Sequence, residues 1–347
     1  MIWLLDRLRP STERAIGVGV LIVAVLGPFL FSDYWVSNIL TYTFWYGIAA
    51  ASLIFLSAYG GMVSLCQVSI YGIAGLVLGN AVTEGGTYGL NLGWGPWLGV
   101  LLGISIATGI GLIFGALASR STGIYFLMIT LTYAVMVYYF FAQVNNLGGF
   151  GGVSNINART PGIVGNPNSQ PDRLYYITLI VALTVYFLIR YVVRTPFGLA
   201  LQGIRDDPVR MASLGYNVAL HRTLAFTLAA FFAAVAGVLN VWWIGEIAPG
   251  TVDLTTVIEL LIVAVIGGLY RLEGAWLGAF AFVLINNYTH NASVPIVGGS
   301  FNTVIGAIFL AIIVLSPGGL FGMWDFVRTK VKRLGSRSSA AAEPEAQ

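Results

Sequence analysis

The 347 residues are 57% hydrophobic and only 9% charged, and 17 basic against 14 acidic side chains leave a net charge of +3. The mean hydropathy is +0.84, whereas a water-soluble domain carries roughly 25% charged residues, so water is excluded as the main solvent. The small net charge, with no Lys/Arg-rich block interleaved with aromatics ahead of the tail, excludes nucleic acid as a partner.

In chain order, residues 1–15 form a short amphipathic cytoplasmic segment carrying Arg7, Arg9 and Arg14. They lack the small-residue cut site of a cleavable leader, so the first span is expected to persist. Apolar runs long enough to cross a bilayer follow at Ile16–Phe31, Trp35–Ala58, Met62–Val82, Pro96–Ala118 and Ile124–Ala142. After a gap come Leu174–Val192, Leu224–Trp243, Thr256–Tyr270, Ala275–Asn286 and Phe301–Leu315. The eighth and ninth have short apolar cores that fit broken or re-entrant helices as well as full spans. The expected fold is therefore an all-α polytopic membrane protein with about 8–10 transmembrane helices over residues 16–320, followed by a basic, disordered cytoplasmic tail, 321–347.

Short cytoplasmic loops collect Lys and Arg. With the N-terminus inside, fifteen basic residues, from Arg7 through Arg120, Arg190, Arg205 and Arg271 to Arg337, fall on the inner side, and only Arg159 and Arg173 fall outside. Both termini are thus expected in the cytoplasm of a multi-pass chain. Merging the eighth and ninth segments removes two crossings together and leaves this parity unchanged. Tyr34, Trp35, Trp94, Trp97, Trp242 and Trp243 sit near the proposed outer ends, where amphipathic rings anchor a span at the lipid boundary. The 43 glycines fit close helix packing.

Two loops are long. The external one, 143–173, is rich in Gly, Asn, Ser and Pro and reads as turns. The cytoplasmic one, 193–223, offers two short amphipathic helices: Phe197, Leu201 and Ile204 lie on the first. Asp206-Asp207-Pro208 marks the start of the second, and Gly215 its stop. A charged helical hairpin of this kind has the form of a docking element.

No catalytic constellation is visible. The only lysines, Lys330 and Lys332, follow no phosphate-cradling loop, so the chain is not expected to bind ATP or another cofactor. His221 and His290 fall on opposite sides of the membrane and cannot share a metal or a triad, and no hydrolase elbow or zinc-helix motif occurs. The lone Cys66 lies in an apolar run and reads as a small buried residue; it permits neither an internal disulfide nor a thiolate cluster. Polar residues inside spans are the remaining signal, because a charge at the bilayer centre costs roughly 2.5–3.5 kcal/mol or more. Glu259 is the one carboxylate well inside an apolar run. With Gln67, Asn145, Asn146, Asn240, Asn286 and Asn287 it makes up the candidate translocation path, although neutral amides also join helices to one another.

The segment RTPFGLALQGIRDDPVRMASLGYNVALHRTLAF, Arg194 to Phe226, resembles the cytoplasmic loop of permease subunits of branched-chain amino-acid ABC importers, particularly the LivM-like type. RSTGIYFLMITL from Arg120, the Gly61–Ser64–Leu65–Gln67 stretch leading to Gly72-Ile73, and Pro249 through Gly267-Gly268 to Gly278-Ala279 are similar to further family segments. Cys66 stands where the family usually has Gly, Tyr270-Arg271 where Gly-Ser or Gly-Thr is usual, and Ala275 where Pro is usual. The resemblance implies a type II ABC importer-like permease fold of two pseudo-symmetric halves in a prokaryotic plasma membrane. It further implies a second homologous permease, two ABC ATPase subunits that bind the ATP, and an extracytoplasmic solute-binding protein. Its loop would be the ATPase-coupling element, with Phe197, Leu201, Ala212 and Leu214 filling a groove, Arg205, Asp206 and Asp207 making charged contacts, and Gly198, Ile204 and Gly215 shaping it. The expected role is transport of branched-chain or related amino acids. Alternatives are a urea or short-amide importer and, from another class, a self-sufficient secondary transporter or channel using Glu259.

Overall fold

The computed structural model describes residues 22–84, 89–156, 160–165 and 171–291, with isolated positions at Gly19, Gly306 and Leu310. The expected N-terminal segment, the tail, part of the first span and nearly all of the tenth lie outside the described residues.

After a short helix at Gly27–Leu30, ten helices organise the described chain. They are α1 (Asp33–Gly60), α2 (Gln67–Val82), α3 (Pro96–Ala118), α4 (Ile124–Gln143) and α5 (Pro171–Arg194), then the short α6 (Pro196–Asp206) and α7 (Pro208–Ser213), then α8 (Val218–Ile244), α9 (Leu254–Gly267) and α10 (Gly274–Asn291). Among the described residues the only β feature is an isolated bridge between Val153 and Ile247. The protein is an all-α polytopic membrane protein.

Five of these helices, α1, α3, α4, α5 and α8, are long and apolar enough to cross a bilayer. Small residues decide which of them lie at the centre. α1 carries Ala49-Ala50-Ala51-Ser52 and α8 carries Ala229, Ala230, Ala233, Ala234, Ala236 and Gly237, all buried. Such side chains let helix backbones approach where lipid supplies no hydrophobic drive for association. Gly237 shows the tightness: a Cβ there would lie 2.1 Å from the Tyr71 carbonyl oxygen of α2. α8 accordingly packs on α1, α2 and α3, and α1 on α10 and α5. By contrast α3, α4 and α5 turn Leu101, Leu117, Met128, Tyr139, Ile180 and Phe187 outward, as lipid-facing helices do.

The sequence expects a span beginning at Met62, but the helix begins at Gln67. Gly61 adopts a left-handed conformation (φ +64°) and ends α1 with the Met62 N–H bonded back to the Leu56 carbonyl at 3.0 Å. Residues 62–66 then run without regular structure, buried in the bundle, where Thr130 of α4 accepts the Leu65 N–H at 3.2 Å. α9 is short in the same way. After α8 ends at Gly245, the chain pairs with the 144–156 loop through Val153 and Ile247, then descends beside α2 through Pro249–Val252. Tyr71 donates its hydroxyl to the Thr251 carbonyl at 2.7 Å there. The 16 and 14 residues of α2 and α9 reach only ~24 and ~21 Å, less than the ~30 Å hydrocarbon core. Irregular backbone completes each passage, tolerated because protein surrounds it.

The eighth and ninth segments are separate helices whose connecting turn meets the end of α5. Arg190 donates to the Tyr186 hydroxyl (2.7 Å), Tyr186 donates to Glu273 (3.0 Å), and Arg190 and Glu273 lie 3.5 Å apart. Close glycine contacts hold this turn: a Cβ at Gly267 would lie 2.0 Å from the Gly274 carbonyl oxygen.

Candidate functional site

Two regions carry the polar chemistry. The first is the α6–α7 hairpin at the end of the bundle, where α1 and α5 finish. Thr195 caps α6 by accepting the Gly198 N–H, and Pro196 opens the helix with φ already suitable. Gly198 must lack a side chain because a Cβ would sit 2.3 Å from the Val192 carbonyl oxygen, so the sharp α5–α6 corner depends on it. Asp207 caps α7, accepting the Val209 and Arg210 N–H groups at 3.1 and 3.0 Å. Gly215 (φ +91°) follows the helix and Asn217 caps α8. His221 stacks on Phe197 with ring centroids 5.7 Å apart.

The hairpin has a bound face and a free face. Leu201 and Ile204 are fully buried against the chain's own helices, with Gly198 and Ala200 beside them. Leu201, read from sequence as filling a partner's groove, instead anchors the hairpin, since amphipathicity alone does not say which body an apolar face meets. Leu199, Val209 and Leu214 are the exposed apolar groups, 61%, 74% and 66% accessible, and Ala212 and Gly215 are exposed with them. Arg205 reaches inward as well: one guanidinium nitrogen donates to the Ala58 carbonyl near the end of α1, while the others hold Asp206 at 2.8–2.9 Å. Gly61 lies beneath the Arg205 side chain.

The second region lies midway along α1. Tyr42, Trp45 and Tyr46 of α1, Tyr71 of α2 and Trp243 of α8 form one aromatic cluster. Ring centroids are 5.0 Å apart for Tyr42–Trp45, 4.8 Å for Tyr42–Trp243 and 6.3 Å for Trp45–Tyr71. A π-helical stretch, Val36–Thr41, immediately precedes it. The widened turn is held by Thr41 and Thr43, whose hydroxyls donate to the Val36 and Ile39 carbonyls, and by the Trp243 indole, which donates to the Ser37 carbonyl at 2.9 Å. Glu259, half-buried on α9, lies within electrostatic reach of Tyr42, Tyr46 and Tyr71. Trp242 and Trp243, read from sequence as lipid anchors, thus lie in the bundle, Trp242 6% exposed. Tyr34, Trp94 and Trp97 are exposed as expected of anchors.

The sequence-derived path residues do not all meet. Gln67 and Asn240 are fully buried, each with an unpaired amide atom, and Gln67 accepts from Ser52 at 3.4 Å. Asn240 lies one turn beyond Gly237, where α8 touches Tyr71. Asn145 and Asn146 are exposed in the turn after α4. Asn287 accepts the Tyr34 hydroxyl at 2.7 Å, tying α10 to the start of α1, and Asn286 stands beside it, half-buried. The tyrosines were missed because aromatic residues in an apolar run carry no sequence mark of polar work. Cys66 is fully buried, as its apolar setting predicts.

The model of the family described as "Branched-chain amino acid transport system / permease component" matches residues 35–316. The chain belongs to this family. The permease is similar to the high-affinity branched-chain amino acid transport system permease protein LivM of Escherichia coli (strain K12), 24% identical over 332 residues covering 88% of this chain and 74% of that protein. It is also similar to two proteins of Methanocaldococcus jannaschii. The probable branched-chain amino acid transport permease protein LivM is 25% identical over 83% of this chain and 88% of its own length. The LivH counterpart is 30% identical over 48% of this chain and 52% of its own. No solved structure matches the chain. Permease residues 35–316 contain both the hairpin and the aromatic cluster.

Proposed function

We propose that this permease forms the translocation path of an ABC importer for branched-chain or related amino acids, moved by separate ATPase subunits that dock on the α6–α7 hairpin. The observation that carries this is the two-faced hairpin. Its inner face is locked into the bundle by Leu201, Ile204 and the Arg205 contact to Ala58, while Leu199, Val209 and Leu214 are exposed among charged residues at the bundle's end. Apolar groups held beyond the membrane helices and ringed by charge suit a protein partner. The bias of basic residues toward this end supports a cytoplasmic placement for it and for both termini, and the lack of a phosphate-cradling loop supports ATP hydrolysis by the partners.

An extracytoplasmic binding protein would choose the cargo, so the helices need only weak, transient contacts. That accords with a membrane interior holding few charged side chains. A second homologous permease would complete the path.

Reconstitution of the chain with its partner permease, ATPases and binding protein in liposomes tests the proposal. ATP-dependent leucine uptake is expected. Val209→Asp and Leu214→Asp are each expected to reduce ATPase co-purification at least tenfold without loss of the membrane subunit. Ion-gradient-driven uptake by the chain alone, without ATP, would establish a secondary transporter instead. Uptake of urea or amides in place of leucine would reassign the cargo.

A further inference from the structure

We infer that Glu259 and the aromatic cluster of Tyr42, Trp45, Tyr46, Tyr71 and Trp243 form an intramembrane site for the ammonium group of the zwitterionic cargo. This assignment rests on the transport reading above and deepens it by naming where the positive charge is held.

Depth comes first. Tyr42 and Tyr46 precede Ala58, the hairpin contact, by 16 and 12 residues of α1, or ~24 and ~18 Å. They follow Asp33, at the other end, by ~14 and ~20 Å. The cluster is therefore near the middle of the bilayer, where an ammonium needs compensation. It is also where the two short helices meet: Tyr71 is one turn into α2, and its hydroxyl holds Thr251 in the single 3₁₀ turn just ahead of α9. Short, interrupted spans approaching mid-depth from opposite ends are the usual construction of a transporter site.

The chemistry is that of a cation acceptor. Ring faces attract ammonium through their quadrupole, and the charged groups reaching the tyrosines are the carboxyls of Glu259 and Asp253. Asp253 is already engaged with the Thr256 N–H and hydroxyl, at 2.8 and 3.0 Å, leaving Glu259 as the counter-charge. One group of the cluster able to accept from a cation is buried without a partner: the Tyr46 hydroxyl, on a side chain 1% exposed. A buried hydroxyl left unpaired costs about 1–3 kcal/mol, and a bound ammonium gives the Tyr46 oxygen a donor. Tyr42, Trp243 and Glu259 are half-buried, while Trp45, Tyr46 and Tyr71 are buried. The preceding π-helical segment sets the register of the three α1 rings, a device frequent at functional sites.

The assembled transporter in nanodiscs, without ATP, is titrated with leucine, isopentylamine (the amine alone) and 4-methylpentanoate (the carboxylate alone), reading the tryptophan fluorescence that is lost in Trp45→Phe. Saturable responses to leucine and isopentylamine are expected, with none to 4-methylpentanoate. Glu259→Gln should weaken both responses at least tenfold. Unchanged affinity in Glu259→Gln, or an equal response to 4-methylpentanoate, overturns the site. Should Glu259→Gln not assemble, Tyr46→Phe decides: a loss of threefold or more supports the site, and wild-type affinity overturns it. A saturable ammonium response in a complex that takes up no leucine would reject the transport reading and leave the site standing.

Discussion

Asp207 shows how far a single residue can be argued. Its carboxylate caps α7 with two backbone bonds at 3.1 and 3.0 Å, and the helix it starts has only six residues, too few to persist on propensity. Asp207→Ala is expected to cost about 1 kcal/mol, seen as faster amide exchange over 208–213 with little change elsewhere. The cap was legible in Asp-Asp-Pro because capping is local: an acceptor beside a proline is enough. The roles of Leu201 and Arg205 were not legible. Both face the end of α1, some 145 residues earlier in the chain, and nothing within the hairpin sequence distinguishes a face bound to its own bundle from one offered to a partner.

At the scale of helices, small residues set the architecture. Gly237→Val is expected to force α8 from α2, since even a Cβ would lie 2.1 Å from the Tyr71 carbonyl oxygen. Overpacking of this kind costs about 1–3 kcal/mol. Because the displaced strut is Tyr71 itself, thermal unfolding of the purified chain should shift down, and the Trp45-dependent fluorescence should change with it. Gly47→Ala on α1 should resemble this more mildly, because it meets the movable Trp276 ring rather than backbone. The long spans were read to within six residues at either end, Pro96–Ala118 to the residue, because an unbroken apolar run of bilayer length has little else to become. The start of α2 was misplaced, whereas that of α9, expected at Thr256, fell within two residues of Leu254. Residues 62–66 are apolar enough to be helix, and only the packing of α4 against them supplies a hydrogen bond that lets the backbone depart from it.

For the whole molecule, α1 joins the two regions: Ala58 receives Arg205 at one end, and Tyr42, Trp45 and Tyr46 stand midway along it. In the docking proposed above, a push on the hairpin would reach the helix bearing the cluster through this contact. Arg205→Ala, which keeps the exposed apolar face, is expected to retain ATPase co-purification and ATP hydrolysis while lowering uptake per ATP at least fivefold. Loss of co-purification instead would place Arg205 in the docking surface. Reversal at Arg205 and Asp206 together should uncouple more completely, because it also turns a self-paired couple against the Ala58 carbonyl.

The sequence by itself determined the solvent, the helical class, the hairpin and, through motifs carried on contiguous residues, the family. Each follows from composition, from local hydrogen bonding or from a charge bias between loops, none of which requires knowing what meets what. The tertiary structure decided which face of the hairpin is anchored, that α2 is short and preceded by irregular backbone, and that Trp243 joins Tyr42, Trp45, Tyr46 and Tyr71 near Glu259. Those residues come from four helices spread over more than two hundred positions, and in a membrane the apolar pattern that marks an inward face in water also marks the face toward lipid, so only packing separates the two.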